Sequence, residues 1–303
     1  MAISRSQLVK ELEPGLNALF GLEYKRYENQ HAEIYTNESS DRAFEEEVML
    51  SGFANAQVKG EGSGVSFDEA QETFTARYTH ETVALAFAIT EEAIEDNLYD
   101  RLASRYTKAL ARSMSNAKQV KSVEPLIQGL PTTNNFDSGD GVSLFNTAHP
   151  TVAGTFANTL ATQSDLNETS LEQSMIDIAQ MTDERGLRIA ARGVKMIIPS
   201  ELQFTAERLM KSQGRTQTAD NDINAINSMG MIPQGYRVNN FLTDPDSFYI
   251  ITDVPNGMKM FSRTPLTTSM EGDFDTGNVR YKARERYAFG ASDFRGIFGC
   301  EGA

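Results

Sequence analysis

One glycine-rich reversal organises this sequence, and it reads Lys59-Gly60-Glu61-Gly62-Ser63-Gly64. Its glycines allow the backbone to turn back on itself, so the flanking stretches Phe44–Val58 and Phe67–Ile89 are predicted to pair as a long hairpin. The distal part has too few large apolar side chains to build a core, and an isolated two-stranded hairpin is only marginally stable in water. The hairpin is therefore expected to need a partner surface.

The second limb of this hairpin contains a change of phase. Phe74, Ala76 and Tyr78 alternate onto one face, as side chains of a strand do. Beyond His80 the apolar residues continue on the other parity, at Val83, Leu85, Phe87 and Ile89. A one-residue slip in a two-residue period predicts a bulge or bend near His80.

The strongest helix follows the hairpin. Thr90 is a candidate N-cap, and acids occupy the first turns, where the helix dipole favours them: Glu91, Glu92 and Glu95. Apolar residues then recur every four positions, at Ile94, Leu98, Leu102, Tyr106, Leu110 and Met114. We place this helix at about 91–118, roughly 40 Å long. It is longer than a small domain is wide, so we interpret it as a structural spine.

The segment before the hairpin is harder to interpret. A short helix capped by Ser6 is predicted near the start, weakened at Pro14 and Gly15. Residues 22–42 are polar and show neither helical nor strand periodicity. They are either an ordinary surface loop or an arm that lies on something else.

The second half of the sequence predicts a strand, proline and helix unit. Val194–Ile198 is a short buried strand that Pro199 ends, and Ser200 with Gln203 is expected to cap the next helix. Upstream, Thr169 and Glu172 predict a capped helix that runs to about Met181, with Leu171, Met175 and Ile178 facing inward. A polar stretch at 213–224 and short strands at 236–242, 248–252 and 258–262 follow.

The last predicted strand covers residues 277–290 and has two unlike faces. Apolar residues occupy one face: Val279, Tyr281, Ala283, Tyr287 and Phe289. Basic residues occupy the other: Arg280, Lys282, Arg284 and Arg286. Four like charges in a row repel one another unless acids face them, so this face is predicted to have an acidic partner or an anionic one.

Composition restricts the class of protein. The 303 residues carry a net charge of −14, which disfavours direct binding to a phosphate backbone. No apolar run reaches the roughly 18 residues of a membrane span, and no secretory signal precedes the first helix. The single cysteine, Cys300, excludes an internal disulfide and suits a reducing compartment. We expect a protein that is made in a cytoplasm, stays there and does not contact membranes.

No arrangement of residues points to catalysis. Gly-x-Ser-x-Gly and Gly-Lys-Ser/Thr motifs are absent from the sequence. The three histidines, His31, His80 and His149, lie in different predicted elements, which does not suggest a metal site. We interpret His149, beside Pro150, as a local hydrogen-bonding residue. We predict no catalytic, cofactor-binding or metal-binding residues.

The order of these elements resembles the major capsid proteins of tailed bacteriophages with the Hong Kong 97-type fold, most closely the Mu-like major head subunits. No single motif carries the resemblance, which extends over most of the chain. Its carriers are the N-terminal arm, the hairpin, the spine helix, Leu144-Phe145 followed by His149-Pro150, the motif Val194-Lys195-Met196-Ile197-Ile198-Pro199-Ser200-Glu201-Leu202, and the terminal strand.

The resemblance implies an α+β fold in four parts. Residues 1–42 correspond to the N-terminal arm and 43–88 to the extended loop that lies over an adjacent subunit. Residues 89–150 and 262–303 correspond to the peripheral domain with its spine helix, and 151–261 to the axial domain at five- and six-fold positions. Because the arm begins close to Met1, a scaffold is expected to be a separate protein.

The resemblance also implies a function without catalysis. The chain is expected to form pentamers and hexamers of an icosahedral shell around double-stranded DNA, with separate scaffold, portal and decoration proteins, assembled in the bacterial cytoplasm and located in the virion. Alternatives are an encapsulin-like nanocompartment shell, another virion component or an uncharacterised enzyme. Candidate inter-subunit contacts are Lys59, Phe67, Arg280, Lys282, Arg284 and Arg286. The basic residues are expected to face acids within or between subunits, or else packaged DNA. Some family members form Lys–Asn crosslinks, but Lys59 has no recognisable Asn partner.

Overall fold

The computed structural model describes residues 5–90, 92, 99–133, 135–215, 222–273 and 277–303. In this part of the chain the helices are α1 Arg5–Arg26, α2 Tyr99–Gln128, α3 Glu168–Ala179, α4 Gln203–Lys211 and α5 Ala225–Met229. Short 3₁₀ turns cover Gln30–Glu33, Ser200–Leu202 and Phe294–Gly296. Together with the strands below, they form the α+β fold that the sequence predicts.

The strands in the described residues form two four-stranded sheets and two hairpins. In chain order they are β1 Thr36–Ser39, β2 Phe44–Leu50, β3 Glu72–Thr79, β4 Glu81–Ile89, β5 His149–Thr151, β6 Gly154–Phe156, β7 Gly193–Ile198, β8 Tyr236–Val238, β9 Phe248–Thr252, β10 Met258–Gly272, β11 Val279–Ala291 and β12 Ile297–Cys300. The first sheet has the order β1-β10-β11-β4 and the second β12-β9-β7-β8. Strands β2 and β3 pair with each other, as do β5 and β6.

Helices α1 and α2 cover one face of the first sheet. Leu16 and Phe20 of α1 pack with Leu110 and Met114 of α2 and with Tyr281 of β11. The sequence prediction that α1 weakens at Pro14 and Gly15 is wrong, since the helix continues to Arg26. Burial of two large apolar side chains, about 1.5–3 kcal/mol each, offsets the roughly 3 kcal/mol that an internal proline costs.

Helix α2 continues ten residues beyond its predicted end at 118. Val123 and Leu126 are buried in a second core under β9–β12, which keeps the chain helical despite Pro125. The predicted start, with Glu91 and Glu95, lies largely outside the described residues. The predicted apolar stripe holds at Leu110 and Met114, but Tyr106 is half exposed. Residues spaced by four positions are displaced by about 40° at each step around a helix with 3.6 residues per turn. A row of apolar residues with this exact spacing therefore turns away from the buried face of the helix.

Residues 22–42 are neither a plain loop nor a detached segment. After α1 ends, the backbone N–H of His31 donates to Gln119 Oε1 at 3.0 Å and the Tyr35 hydroxyl donates to the Ser122 carbonyl at 2.6 Å. Strand β1 then joins the edge of the first sheet, parallel to β10. The second interpretation therefore applies: the segment is an arm, and it lies on the protein's own spine helix α2.

The second sheet and helices α3–α5 enclose a separate core. Leu171, Met175 and Ile178 of α3 are buried in it, as predicted. The predicted cap is wrong: the capping box is formed by Asn167 with Ser170 rather than by Thr169 with Glu172. Strand β7 confirms the predicted strand at 194–198. Ser200 does not cap α4, because its hydroxyl bonds to the Glu201 side chain and a 3₁₀ turn intervenes.

Candidate assembly interface

The hairpin has shorter strands and a longer tip than the sequence predicts. Strands β2 and β3 pair only from Phe44↔Thr79 to Leu50↔Glu72, and residues 51–71 contain no strand. The bend at His80 is confirmed, because the chain leaves β3 there and enters β4, which pairs with β11. The limb predicted to run to Ile89 is therefore divided between two sheets.

The base of the hairpin is fixed to the first sheet. Lys259 of β10 donates to Glu47 at 2.5 Å and lies 3.1 Å from Glu38. Burial opposes its positive charge, yet hydrogen bonds to these two carboxylates raise the pKa of Lys259 above its usual value. Tyr78 is buried on Gly290, where a Cβ would lie 2.5 Å from the ring. The hairpin base is thus a rigid part of the subunit.

A single arginine fixes the distal part of the loop. Arg185, in the turn between α3 and β7, donates to the Glu69 carbonyl at 2.6 Å and lies 3.5 Å from Asp68. Asp68 also accepts from the backbone N–H of Ala54 at 2.7 Å. The Ala54 and Glu69 amides, and then Arg185, lower the pKa of Asp68. These contacts set the direction in which the loop leaves the body.

The loop presents apolar side chains to solvent. Val58 is 100% exposed and Phe67 97%, while Val65 and Phe53 are 67% and 61% exposed. Apolar surface this extensive on one projecting segment is typical of a protein–protein contact. Lys59 lies beside Val58 at the tip and is also exposed. The predicted contact residues Lys59 and Phe67 are thus accessible to another molecule.

The four basic residues of the last strand line one exposed face of β11, as predicted. Arg280, Lys282 and Arg284 are exposed and Arg286 is half-buried. The opposite face of β11 contacts α2. Glu285 of β11 is buried on that face, and its carboxylate lies 3.2 Å from the Lys118 ammonium of α2. Burial raises the pKa of Glu285, and Lys118 counteracts part of that shift.

Acids within the chain neutralise this face only in part. Arg280 pairs with Asp273, so the prediction of acid pairing is correct for one residue. Lys282 and Arg284 form no ion pair with any described residue. Their neighbours across the sheet are small: Ala86 and Ser269 beside Lys282, and Ala84 and Thr267 beside Arg284.

The third histidine has the structural role that the sequence predicts. The side chain of His149 is buried, with Nδ1 2.5 Å from Asp140 and Nε2 3.0 Å from Asn158 Oδ1. Its ring stacks on Phe294 at 3.9 Å. Asn158 in turn donates to the carbonyls of Leu144, Phe294 and Ile297. The group fastens the 137–158 loops to the segment before β12.

The described residues contain neither a metal-site geometry nor an exposed cysteine. No group of three or more His, Cys, Asp or Glu side chains among them has the geometry of a metal site. Cys300 is buried, and burial raises the pKa of its thiol, which makes the reactive thiolate less available. No helix in the described part of the chain is long and apolar enough to cross a membrane.

Several residues of the candidate interface were not predicted from the sequence. Arg185 is one arginine in a polar turn, and no local pattern connects it with a loop more than a hundred residues earlier. Ala84, Ala86 and Ala88 do alternate along β4 and lie beside the basic residues. That alternation is the sequence signal for a flat face, although larger apolar residues occupy the opposite parity of the same strand.

The family comparison decides what this architecture is. A model of the family described as phage capsid protein matches residues 72–299, three quarters of the chain. The chain belongs to the phage capsid protein family. The match begins in β3 and ends in β12, so it includes α2, strands β4, β10 and β11 of the first sheet with the basic face, and the second four-stranded sheet.

Solved structures of similar fold cover nearly the whole capsid protein. The capsid of Myoviridae phage XM1 matches with a TM-score of 0.55 and 12% identity, covering 89% of each chain. The capsid of the empty GTA particle matches with a TM-score of 0.55 and 12% identity, over 90% of this chain and 89% of that one. A virus-like particle from Pyrococcus furiosus matches with a TM-score of 0.51 and 11% identity, over 94% and 98%. No curated protein matches the sequence.

These findings confirm the Hong Kong 97-type fold, and the family model confirms the predicted role of a phage capsid protein. The family is one of structural proteins. The encapsulin-like alternative is less supported, because the family model that matches the chain is one of phage capsid proteins.

Proposed function

We propose that this protein builds the icosahedral head of a tailed phage, with its projecting loop as the main link between copies. The observation that carries the proposal is the contrast between the two ends of the hairpin. The base is rigidly bonded to the subunit, whereas the tip exposes Val58 and Phe67 almost completely. A subunit gains by burying such side chains only when another copy covers them.

The proposed roles of the four parts of the chain are those that the family resemblance implies. Residues 1–42 act as the N-terminal arm, 43–88 as the extended loop, 89–150 with 262–303 as the peripheral domain, and 151–261 as the axial domain. Phe204, Ile223 and Met229 support the axial role, since each belongs to that region and is 70% or more exposed. A groove of about 1310 Å³ also lies between α3 and α4. Both features suit contacts around a five- or six-fold axis.

The proposed shell encloses double-stranded DNA without binding it sequence-specifically. A net charge of −14 keeps the wall from adhering to packaged phosphate. Separate scaffold, portal and decoration proteins complete the particle, which is assembled in the bacterial cytoplasm, and the mature protein resides in the virion. Within the family we place the chain near the Mu-like major head subunits. None of these roles needs a catalytic group.

Negative-stain electron microscopy of the purified, overexpressed protein tests the proposal, with size-exclusion light scattering beside it. We expect closed icosahedral shells or rings of five and six subunits, and the size and contents of the shells distinguish a phage head from a cargo compartment. A protein that stays monomeric even with a phage scaffold supplied would contradict the assignment.

A further inference from the structure

The middle of helix α2 carries positive charge in a chain that is acidic as a whole. Residues 103–123 contain five basic residues and no acid, although acids outnumber basic residues 42 to 28 in the complete sequence. A run of one sign in a chain of the opposite net charge indicates a local role for that charge, beyond general solubility.

Two of the five cations are neutralised within the subunit. The Lys118 ammonium lies 3.2 Å from Glu285 of β11, and the Lys121 ammonium lies 2.9 Å from Glu81 of β4. The other three are exposed and have no ion-pair partner among the described residues: Arg105, Lys108 and Arg112. The unneutralised charge of the run is therefore on the outer side of α2.

These three cations form one stripe along the helix. Their spacing of three and then four residues places them within about 60° around the axis, and the stripe is about 10 Å long. Three steps of about 3.4 Å along one strand of DNA cover the same length. Lys108 and Arg112 also repel each other, because like charges at positions i and i+4 destabilise a helix. An external polyanion of matching charge spacing would remove that repulsion.

The positions around the stripe suit a polyanion better than a protein partner. Ser113 and Asn116 are exposed on the same side of α2, and both residue types donate hydrogen bonds to phosphate oxygens. Among residues 103–128 the only large apolar side chains that are exposed are Tyr106 and Val120, and they stand about 21 Å apart along the helix. The core of a protein interface is apolar and poor in charge, which this surface is not.

The basic face of β11 lies on the other side of the same sheet. Helices α1 and α2 cover one side of that sheet, whereas Lys282 and Arg284 are exposed on the other. Their neighbours on β4 are Ala84 and Ala86, whose methyl groups offer a phosphate nothing to bond. In the wall of a shell, only one of the two sides can face the interior.

We propose that α2 faces the interior of the shell and that Arg105, Lys108 and Arg112 bind the phosphate backbone of the packaged duplex DNA. This inference rests on the proposed shell function and adds which side of the subunit meets the genome. The contact is independent of sequence, because phosphates carry no sequence information. The net charge of −14 keeps the wall as a whole from adhering, so each copy makes one weak, salt-dependent contact that is repeated over the shell.

Assembly around short DNA tests the proposal. Shells are formed in the presence of a short fluorescent DNA duplex of mixed sequence, nuclease removes the DNA outside, and the duplex retained per shell is measured. Three phosphate contacts give a slope of about −2.7 for the logarithm of the binding constant against the logarithm of salt concentration, so binding should fall roughly 40-fold between about 50 and 200 mM salt.

The test variant combines Arg105→Gln, Lys108→Gln and Arg112→Gln. The retained duplex should fall to its concentration in the surrounding solution or below, and its salt dependence should disappear. Circular dichroism and the yield of shells should stay as in the wild type, because the three side chains are exposed and glutamine has nearly the helix propensity of lysine and arginine.

The matched control removes three cations from the basic face: Arg280→Gln, Lys282→Gln and Arg284→Gln. It changes the net charge equally on the other side of the sheet, and each shell that it forms should retain as much duplex as a wild-type shell. Loss of DNA from the control variant alone would assign DNA to the basic face and overturn the inference, as would equal retention by all three proteins. Loss of shells from the α2 variant would assign the stripe to a protein contact instead. These outcomes leave the shell function intact, whereas a wild-type protein that forms no shells would refute that function and the inference with it.

Discussion

Deleting residues 54–66 should separate folding from assembly. The deletion removes Val58 and Val65 but keeps the closing contacts of the hairpin, where Ser51 N–H donates to the Gln71 carbonyl at 2.8 Å and Gln71 N–H donates to Ser51 Oγ at 2.9 Å. Neither valine contributes to the core of the subunit, so the melting temperature should change little. Burying each valine against another copy stabilises that contact by roughly 1.5–3 kcal/mol.

The two valines together therefore account for about 3–6 kcal/mol per contact, or roughly two to four orders of magnitude in the association constant. We expect a soluble, folded monomer that forms no stable shell, measured by light scattering and electron microscopy at matched concentrations. Val58→Ser with Val65→Ser keeps the loop length and should show the same defect in weaker form. Val152→Ser, at a half-exposed valine outside the loop, serves as the control. Normal shells from the deletion variant would refute the role given to the loop.

Three further predictions concern individual contacts. Arg185→Ala should leave the melting temperature nearly unchanged, because exposed ion pairs contribute about 1 kcal/mol or less. The same variant should speed amide hydrogen exchange around Asp68. Unchanged exchange there would show that Arg185 does not hold the loop in place. Gly290→Ala should lower the free energy of unfolding in urea by about 1–3 kcal/mol, because the new methyl group displaces Tyr78; a neutral result would show that the ring moves freely. Burial and then Lys118 lower the pKa of His31 to about 4. Between pH 6.5 and 4 the unfolded chain therefore binds one more proton than the folded chain, and the free energy of unfolding should fall by about 2 kcal/mol from pH 7 to 5. His31→Gln should flatten the plot of unfolding free energy against pH in that range, and an unchanged slope would contradict the assignment.

The sequence predicted those parts of the fold whose periodicity is local. The two faces of β11, the bend at His80 and the inward face of α3 are all visible as alternation or helical spacing. The end of α2 was not, because Val123 and Leu126 are helical on account of a core formed with β9–β12 far along the chain. The choice between the two interpretations of residues 22–42 stayed open for the same reason, since their order comes from contacts with Gln119 and Ser122 rather than from their own pattern.

The candidate interface was predictable in its parts but not in its arrangement. The glycines around Lys59 and the alternation of the basic residues identify a projecting tip and a charged face. Only the three-dimensional structure shows that Lys282 and Arg284 lack acids beside them and that the hairpin base is fixed by Lys259. Cross-strand neighbours depend on register, which a single sequence does not determine when strands are about 190 residues apart.

That separation between β4 and β11 governs when the subunit becomes complete. During synthesis, β4 emerges with its partner still unmade, and roughly 10–40 s pass at typical elongation rates before residues 279–291 follow. Throughout that interval the first sheet lacks β11, so its basic face does not exist. The loop tip, by contrast, is made early. A nascent chain thus presents its loop tip long before its basic face is complete.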